Sequence, residues 1–316
     1  MTRWTPADLP DQSGRVALVT GANSGLGFHT SLQLARRGAR VLMACRDADR
    51  AEQALGRLRT EVPDATAELV SLDLASLASI EAAARDVTER TSSLDLLIDN
   101  AGVMAVPRSL TVDGYERQLG TNHLGHFALT GRLLPLLLAA PAARVVVVSS
   151  GAHRMGRLRF EDLMGERSYG RWQAYAQSKL ANLLFARELE RRATGTSLLV
   201  AAAHPGYAAT HLQVGHGSAV QGAAMKLGNA LLAQSDAQGA WPSLYAATMP
   251  DVRTGDYWGP RLAELRGVPK RVGRSTAARD DVTARRLWQA SEQLTGVGYD
   301  FPACLPGGDG LSPCAW

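Results

Sequence analysis

The sequence predicts an α/β fold built on one doubly wound parallel sheet with helices on both faces. Short apolar runs rich in β-branched residues alternate along the chain with longer amphipathic stretches rich in Ala, Leu and Arg. This alternation is typical of parallel strands that are covered on both sides. The first apolar run leads directly into a glycine-rich turn, Thr20 to Gly27, and then into a helical stretch. The order of strand, glycine turn and helix is that of a single Rossmann-type dinucleotide-binding domain.

Six strands and two long helices follow from the spacing of apolar residues. The helices are predicted beside the sheet, over Tyr115 to Leu138 and Trp172 to Arg192. The predicted strands, in chain order, are Val16 to Thr20, Ala39 to Ala44, Ala67 to Leu72, Leu94 to Ile98, Arg144 to Val148 and Leu198 to Ala202.

Length and composition favour one large domain over residues 1–300, followed by a C-terminal tail over residues 301–316. The chain has 316 residues, of which 46% are hydrophobic and 20% charged, a balance that suits a globular protein with a sizeable core. No linker rich in Pro, Gly or Ser interrupts the alternating pattern before the tail. The tail, which contains Pro302, Pro306 and Pro313, is expected either to be disordered or to pack as a strap on its own or a neighbouring subunit.

Charge and hydropathy exclude two classes of partner. The net charge is +4 and the arginines are scattered among carboxylates, so no basic stripe for nucleic acid is present. Residues Met1 to Gly14 are polar, and the most apolar stretch, Leu133 to Val148, is broken by Pro135 and Pro141. Neither segment has the character of a signal sequence or a membrane anchor. A cytoplasmic location is therefore expected.

The cysteines and histidines do not predict a metal site. Cys45, Cys304 and Cys314 match no metal-ligand spacing, and a reduced intracellular chain accounts for them, although a bridge between the last two is left open. Of the seven histidines, His123 and His126 lie in one predicted helix, and His153 and His204 follow two different predicted strands. Their spacing is not that of a ligand set.

A tyrosine and a lysine stand four residues apart in Tyr175-Ala-Gln-Ser-Lys179. The chain contains only three lysines against thirty-one arginines, so a lysine at this place requires a chemical reason. Lys carries a compact ammonium on a flexible stem and can donate to several oxygens beside a phenol. On a helix the two side chains share a face. The ammonium would lower the pKa of the phenol, as a general acid/base working near neutral pH requires.

The spacing of glycines in the glycine-rich turn indicates which kind of ligand the turn can bind. Gly21, Gly25 and Gly27 have the spacing Gly-x3-Gly-x-Gly, and residues without a Cβ let the backbone approach a pyrophosphate closely. The N-terminus of the following helix then supplies oriented amides and a partial positive charge. The turn predicts a bound dinucleotide.

Taken in order, these motifs resemble those of the short-chain dehydrogenase/reductases, from about Arg15 to Gly296. Four stretches look most like the branch of retinol dehydrogenase and protochlorophyllide reductase, namely Leu96 to Met104, Asn122 to His126, Ser149 to His153 and His204 to Tyr207. Asp99 is a departure, because the family more often has Asn there. The motifs that carry the resemblance are Thr20 to Gly27, Asp73-Leu74, Asp99 to Gly102, Asn122, Ser149-Ser150, Tyr175 with Lys179, and Pro205-Gly206.

The resemblance implies a catalytic set of Asn122, Ser150, Tyr175 and Lys179. Tyr175 would exchange a proton with the substrate oxygen, and Ser150 would be a second hydrogen-bond donor, whereas Ser149 would cap or pack the strand end. Lys179 would bind the nicotinamide ribose and lower the pKa of Tyr175. Asn122 would hold a water that links Lys179 to solvent. Alternatively, Asn122 is an amide inside a helix bonded to backbone.

The cofactor is predicted to be NADP(H). An NAD site has a carboxylate at the end of the second strand, but this chain has Cys45 there, followed by Arg46, which can pair with a 2′-phosphate. Asp47 is predicted to begin the next helix. The predicted cofactor-binding residues are Gly21, Asn23, Ser24, Gly25, Leu26, Gly27, Arg46, Asp73, Leu74, Asn100, Ala101, Gly102, Tyr175, Lys179, Pro205, Gly206 and Thr210.

Three apolar segments are candidates to face the substrate: Gly151 to Arg171, Tyr207 to Ala233 and Tyr257 to Pro260. They favour a lipophilic small molecule, and the predicted reaction is hydride transfer between NADP(H) and its carbonyl or alcohol. Reduction of a C=C bond on the same fold is one alternative, and a nucleotide-binding module without catalysis is another. The two long helices could form the interface of a homodimer.

Overall fold

One eight-stranded sheet organises the computed structural model, which describes residues 4–206 and 234–302. The strands are β1 Val16–Thr20, β2 Arg40–Cys45, β3 Ala67–Ser71, β4 Leu96–Asp99, β5 Arg144–Val148, β6 Leu199–Ala203, β7 Tyr257–Leu262 and β8 Arg266–Arg271. Their order in the sheet is β3-β2-β1-β4-β5-β6-β7-β8. Strands β1 to β7 run parallel, and β8 pairs antiparallel with β7. All six predicted strands are confirmed, with ends that differ by at most two residues.

Strands β7 and β8 were not predicted from the sequence. Gly259, Pro260 and Pro269 interrupt the residue pattern of the pair, and proline and glycine weaken the strand signal. The segment Tyr257 to Pro260 was instead expected to face the substrate. In the structure all four of its residues are buried within the sheet and its packing, so their burial accounts for their apolar character.

Helices cover both faces of the sheet, as the doubly wound arrangement requires. One core contains residues of the helices α3, α4, α5 and α7, and the other contains residues of α1, α2 and α6. Neighbouring strand residues such as Leu18 and Val19 belong to opposite cores, because side chains alternate along a strand. The helices are α1 Gly25–Arg36, α2 Ala48–Glu61, α3 Leu77–Arg90, α4 Gly125–Ala139, α5 Arg171–Arg192, α6 Trp241–Thr248 and α7 Asp281–Thr295.

The first predicted long helix is divided in the structure. A helical turn over Arg117–Leu119 is followed by a π-helical turn over Gly120–Leu124, and only then by α4. The turn begins where the Glu116 carboxylate accepts hydrogen bonds from the backbone amides of Gln118 and Leu119. Turns of the π type are frequent at functional sites, and this one contains Asn122.

The second predicted long helix is confirmed as α5. It is buried over most of its length, from Tyr175 to Leu189, and it packs against α7 and the turn Gly151–Met155. Val297, Tyr299 and Phe301 pack into the same core. These elements cover much of the helix surface, and the homodimer stays a prediction. Within the two described ranges, no helix is both long and apolar enough to cross a membrane.

The departure at Asp99 creates a buried carboxyl group at the end of β4. Its Oδ2 accepts a hydrogen bond of 3.1 Å from Thr130, while Oδ1 has no partner among the described residues. Burial raises the pKa of Asp99 to about 8, and the bond from Thr130 opposes this only in part. The carboxyl group therefore holds a proton at neutral pH in the folded protein.

We expect Asp99→Asn to make the stability of the protein less dependent on pH. Because the pKa of Asp99 is raised in the fold, its stabilising contribution is complete below about pH 4 and is lost as the pH rises through about 8. Asn keeps an acceptor for Thr130 and carries no charge. The variant should therefore gain on the order of 1–3 kcal/mol over the wild type in free energy of unfolding near pH 8, measured by urea denaturation from about pH 5 to 8.5.

Asp64→Asn, at an exposed turn residue, is the control and should leave the pH dependence of the wild type unchanged. Parallel curves for the wild type and Asp99→Asn would contradict the assignment of a buried, protonated carboxyl.

Candidate active site

A cavity of about 340 Å³ opens at the carboxyl ends of β1, β2 and β4. This is the place where the strand order reverses, and ligands of open α/β sheets bind at such a switch point. The residues that line the cavity are Gly21, Asn23, Ser24, Gly25, Leu26, Gly27, Ala44, Arg46, Asp47, Arg50, Leu72, Asp73, Leu74, Asn100, Ala101, Gly102, Val103 and Thr121.

Most of the predicted cofactor-binding residues meet in this cavity. They are Gly21, Asn23, Ser24, Gly25, Leu26, Gly27, Arg46, Asp73, Leu74, Asn100, Ala101 and Gly102. Tyr175 and Lys179 lie on α5 outside its lining, and Pro205 with Gly206 forms the loop after β6. Thr210 and the candidate substrate-facing segment from Tyr207 to Ala233 lie outside the described residues.

The glycine turn is packed too tightly for larger residues. A Cβ on Gly27 would lie 2.3 Å from the carbonyl oxygen of Gly21 and 2.7 Å from the side-chain Nδ2 of Asn100. Gly21 itself has a φ of +67°, in the left-handed region that favours glycine. Ser24 precedes α1 without a hydrogen bond from its side chain to the helix. The first amides of α1 are therefore left to bind a ligand.

Two arginines, Arg46 and Arg50, line the cavity beyond the end of β2. Arg46 makes no hydrogen bond or ion pair in the part of the chain that the structure describes. Arg50 also lines the cavity and lies 3.5 Å from the Asp47 carboxylate. Asp47 caps α2 by accepting from the amide of Arg50, as predicted. Arg50 was missed, although its position one turn into the predicted helix was a usable signal.

Cys45 occupies the position at which an NAD site would have a carboxylate. Burial raises the pKa of its thiol to about 11, and the nearby backbone amides of Ala22 and Asn23 lower it only in part. The group is therefore a neutral thiol under ordinary conditions. It carries no negative charge that would repel a phosphate.

Ser150 and Tyr175 are brought together beside β5. Ser150 follows the strand, and its Oγ accepts a hydrogen bond of 3.2 Å from the amide of Ala152. Tyr175 lies in the first turns of α5, as predicted, and is only 7% exposed. Burial raises the pKa of its phenol, and the nearby hydroxyl of Ser150 lowers it in part. The phenol therefore holds its proton at neutral pH.

Lys179 is buried one turn after Tyr175. Its Nζ donates a hydrogen bond of 3.1 Å to the carbonyl of Val148 and lies 5.9 Å from the centre of the Tyr175 ring. Burial lowers the pKa of Lys179 to about 8. Burial of the phenol dominates the pKa of Tyr175, and the Lys179 ammonium donates to Val148. That Lys179 lowers the pKa of Tyr175 stays a prediction.

Asn122 is an amide bonded inside the protein, which is the alternative that the sequence left open. Its Oδ1 accepts from the amide of Val103 at 2.8 Å. Its Nδ2 donates to the carbonyl of Val103 and to Ser178 Oγ, both at 2.9 Å. A Cβ on Gly102 would lie 3.0 Å from Asn122 Oδ1 and 3.5 Å from Lys179 Nζ. Asn122 therefore lies beside Lys179, and its role in holding a water stays a prediction.

Ser149 has a structural role at the end of β5. Its Oγ donates a hydrogen bond of 2.7 Å to the carbonyl of Lys179 and so fixes α5 to the sheet. The carbonyl of Ser150 accepts a bond of 2.7 Å from His153 Nδ1, and His153 Nε2 accepts from the amide of Ser275 at 3.3 Å. His153 thus fixes the backbone at Ser150, a role that sequence reasoning missed.

Two further histidines also bond to protein atoms. His123 Nε2 lies 2.8 Å from Ser291 Oγ, and His204 Nδ1 accepts from the amide of Gly206 at 3.2 Å. Among the residues described, no three His, Cys, Asp or Glu side chains are grouped as metal ligands would be.

The segment between Ser150 and Tyr175 is held in place by its own contacts. Asp162 accepts hydrogen bonds from the amides of Glu166, Arg167 and Ser168. Of the apolar residues expected to face a substrate, Met155 is 71% exposed. Others pack against the core, namely Leu158, Phe160, Leu163 and Met164.

Comparison with known proteins agrees with this geometry. A family model described as short chain dehydrogenase matches residues 15–220. Retinol dehydrogenase 14 from Mus musculus is 44% identical over 299 residues, which cover 90% of this chain and 86% of that protein. The chain therefore belongs to the short-chain dehydrogenase family. Its similarity to the retinol dehydrogenases places it in their branch of that family, as the sequence predicted, and makes it an oxidoreductase.

Two solved structures share the fold. An uncharacterized protein from Mycobacterium paratuberculosis is 46% identical, with a TM-score of 0.79 over 95% of this chain and 100% of that chain. RhlG from Pseudomonas aeruginosa, solved as an active-site complex with NADP, is 26% identical, with a TM-score of 0.64 over 78% of this chain and 94% of that chain.

We expect Gly27→Ala to weaken nucleotide binding. The new methyl group would collide with the carbonyl of Gly21 and force the turn open, which moves the amides that a pyrophosphate would contact. The dissociation constant for NADPH, measured by quenching of protein fluorescence, should rise at least about tenfold. Gly56→Ala on α2, where a Cβ meets nothing within 4 Å, should leave it unchanged. Unaltered binding by Gly27→Ala would show that the nucleotide does not use this turn.

Proposed function

We propose that this protein transfers hydride between NADP(H) and the carbonyl or alcohol of a lipophilic small molecule, with Tyr175 as the acid/base. One observation carries the proposal. The hydroxyl of Ser150 lies near that of Tyr175 and lowers its pKa, and the buried ammonium of Lys179 is 5.9 Å from the Tyr175 ring centre, next to the cavity that the glycine turn lines. Two hydroxyl donors at one place are suited to a substrate oxygen on which negative charge develops.

The protonation states favour reduction of a carbonyl. Bound NADPH would supply hydride from its nicotinamide C4 to the carbonyl carbon. Because burial raises the pKa of Tyr175, its phenol carries the proton that the substrate oxygen must receive. The hydroxyl of Ser150 can donate a second hydrogen bond to the same oxygen. In the oxidation direction the phenolate would take the proton of the alcohol.

The preference for NADP(H) rests on the end of β2. Arg46 and Arg50 both line the cavity, and neutral Cys45 replaces the carboxylate that binds a ribose 2′-hydroxyl. A 2′-phosphate would pair with the two guanidinium groups. The NADP complex of RhlG supports this choice by similarity.

A lipophilic substrate is supported by the relatives and by one exposed aromatic side chain. The relatives are retinol dehydrogenases, and retinol is a lipophilic alcohol. Trp172 is 57% exposed, and its ring centre lies 6.1 Å from that of Tyr175, so an apolar surface adjoins the acid/base. We retain the cytoplasmic location as a prediction.

The first test compares NADPH and NADH oxidation over a panel of lipophilic aldehydes, ketones and enones. The wild type should consume NADPH, and Tyr175→Phe should lose at least about a hundredfold in kcat, because general acid catalysis contributes about that much. Tyr245→Phe, which removes only a hydroxyl bonded to Asp251, is the control. Activity of Tyr175→Phe equal to that of the control would refute the role of Tyr175.

The alternative functions give different results in the same panel. A C=C reductase would return a saturated aldehyde from an enal, whereas the proposed activity returns an allylic alcohol. Tight NADPH binding without any turnover, in the wild type as in Tyr175→Phe, would favour the module without catalysis.

Nucleotide preference is tested by Arg46→Ala. Loss of a guanidinium that pairs with the 2′-phosphate should raise the KM for NADPH at least about tenfold and leave that for NADH within about twofold. Adding Cys45→Asp should lower the KM for NADH, because a carboxylate there can accept from the 2′-hydroxyl. Arg85→Ala on α3, an exposed arginine remote in sequence, should change neither constant. Equal effects of Arg46→Ala on both nucleotides would overturn the role of Arg46.

A further inference from the structure

His126 lies buried between the two parts of the candidate site, and its ring is bonded to both. Its Nε2 lies 2.9 Å from Thr20 Oγ1 at the end of β1. Its Nδ1 lies 2.9 Å from the carbonyl oxygen of Asn122 in the π-helical turn. The side chain is 1% exposed, so water does not compete for either bond.

The two bonds fix the positions of the hydrogens. A carbonyl oxygen only accepts, so Nδ1 carries the ring hydrogen and donates it to Asn122. Burial lowers the pKa of His126 to about 4, so the ring is neutral and Nε2 holds a lone pair. The hydroxyl of Thr20 therefore donates its hydrogen to Nε2.

At the Thr20 end, donation of the hydroxyl hydrogen to His126 orients the loop of Asn100 and Ala101, which lines the cavity. With its hydrogen directed to His126, Thr20 Oγ1 accepts from the amides of Asn100 and Ala101, each at 2.9 Å. The carbonyl of Ile98, at 3.3 Å, is the competing acceptor for that hydrogen. Without Nε2 the hydroxyl would turn toward Ile98, and its lone pairs would leave the two amides.

At the Asn122 end, a chain of hydrogen bonds links Asn122 to the helix that carries Tyr175. Asn122 Nδ2 donates to Ser178 Oγ, and Ser178 Oγ donates to the carbonyl of Tyr175 at 2.8 Å. Asn122 also holds Val103 by both its amide and its carbonyl. A displaced Asn122 would therefore displace the start of α5.

We propose that His126 is a positioning residue with two separable functions. Through Thr20, its Nε2 positions the loop after β4, where Asn100 and Ala101 line the cavity. Through Asn122, its Nδ1 positions the helix that carries Tyr175 and Lys179. The second half rests on the proposed function, whereas the first requires only that NADPH binds.

Two variants separate the functions. In His126→Asn the side-chain amide reaches about as far as Nδ1, so it keeps a donor for Asn122 and loses the acceptor for Thr20. In His126→Gln the amide reaches about as far as Nε2, so it keeps the acceptor and loses the donor. The dissociation constant for NADPH is measured by fluorescence quenching, and kcat is measured at saturating NADPH with the best carbonyl of the panel.

We expect the two variants to fail in opposite ways. His126→Asn should raise the dissociation constant about tenfold and keep kcat within about twofold. His126→Gln should keep the dissociation constant within about twofold and lower kcat about tenfold. Thr20→Val removes this hydrogen bond and also the acceptor of the two amides, so it should raise the dissociation constant at least as much as His126→Asn, and the double variant should bind no more weakly than Thr20→Val alone.

The control is His123→Gln, at a buried histidine of the π-helical turn whose ring bonds to Ser291 and makes neither of the two bonds. It should lower the melting temperature and leave binding and kcat unchanged. Parallel loss of binding and turnover in both His126 variants, or additive effects of Thr20→Val and His126→Asn, would overturn the proposal. If the wild type binds NADPH but reduces no carbonyl, the proposed function fails, and the Thr20 half is still decided by the dissociation constants. If the wild type does not bind NADPH, both fail.

Discussion

The reversal of strand order beside β1 is the constraint on which the site depends. Strand β1 lies between β2 and β4, and the helices that follow β1 and β4 pack on opposite faces. The loops that leave the two strands therefore diverge and form a crevice. Hydrogen bonds from the amides of Asn100 and Ala101 to Thr20 close its floor. A close approach of Gly27 to Gly21 shapes its rim.

Burial then sets the chemistry beside this crevice. The pKa of Tyr175 is raised and that of Lys179 is lowered to about 8 by the same cause, the removal of charged forms from water. Both shifts favour neutral groups, so the phenol keeps the proton that reduction of a carbonyl consumes. The bonds of Lys179 to Val148 and of Ser149 to the helix hold this arrangement on β5.

Local sequence signals predicted the sheet and most of the cavity, because strand periodicity and the glycine turn are visible in single stretches. Tertiary packing decided the rest. The sequence showed Asn122 but not that its amide is bonded to Val103 and Ser178. It showed His126 as part of a family-like stretch but gave it no role. The sequence predicted one continuous helix from Tyr115 to Leu138. The capping bonds of Glu116 and the π-helical turn do not show in the spacing of apolar residues. Strands β7 and β8 were hidden by their prolines and glycines.

Transfer of deuterium from NADPH labelled at both C4 positions to an α,β-unsaturated aldehyde tests the central claim most directly. Mass spectrometry and NMR of the product locate the label. Our account predicts an allylic alcohol with one deuterium on the former carbonyl carbon and an intact C=C bond. A saturated aldehyde with deuterium on its β-carbon would contradict it, because hydride would then have passed to the double bond instead of the carbonyl.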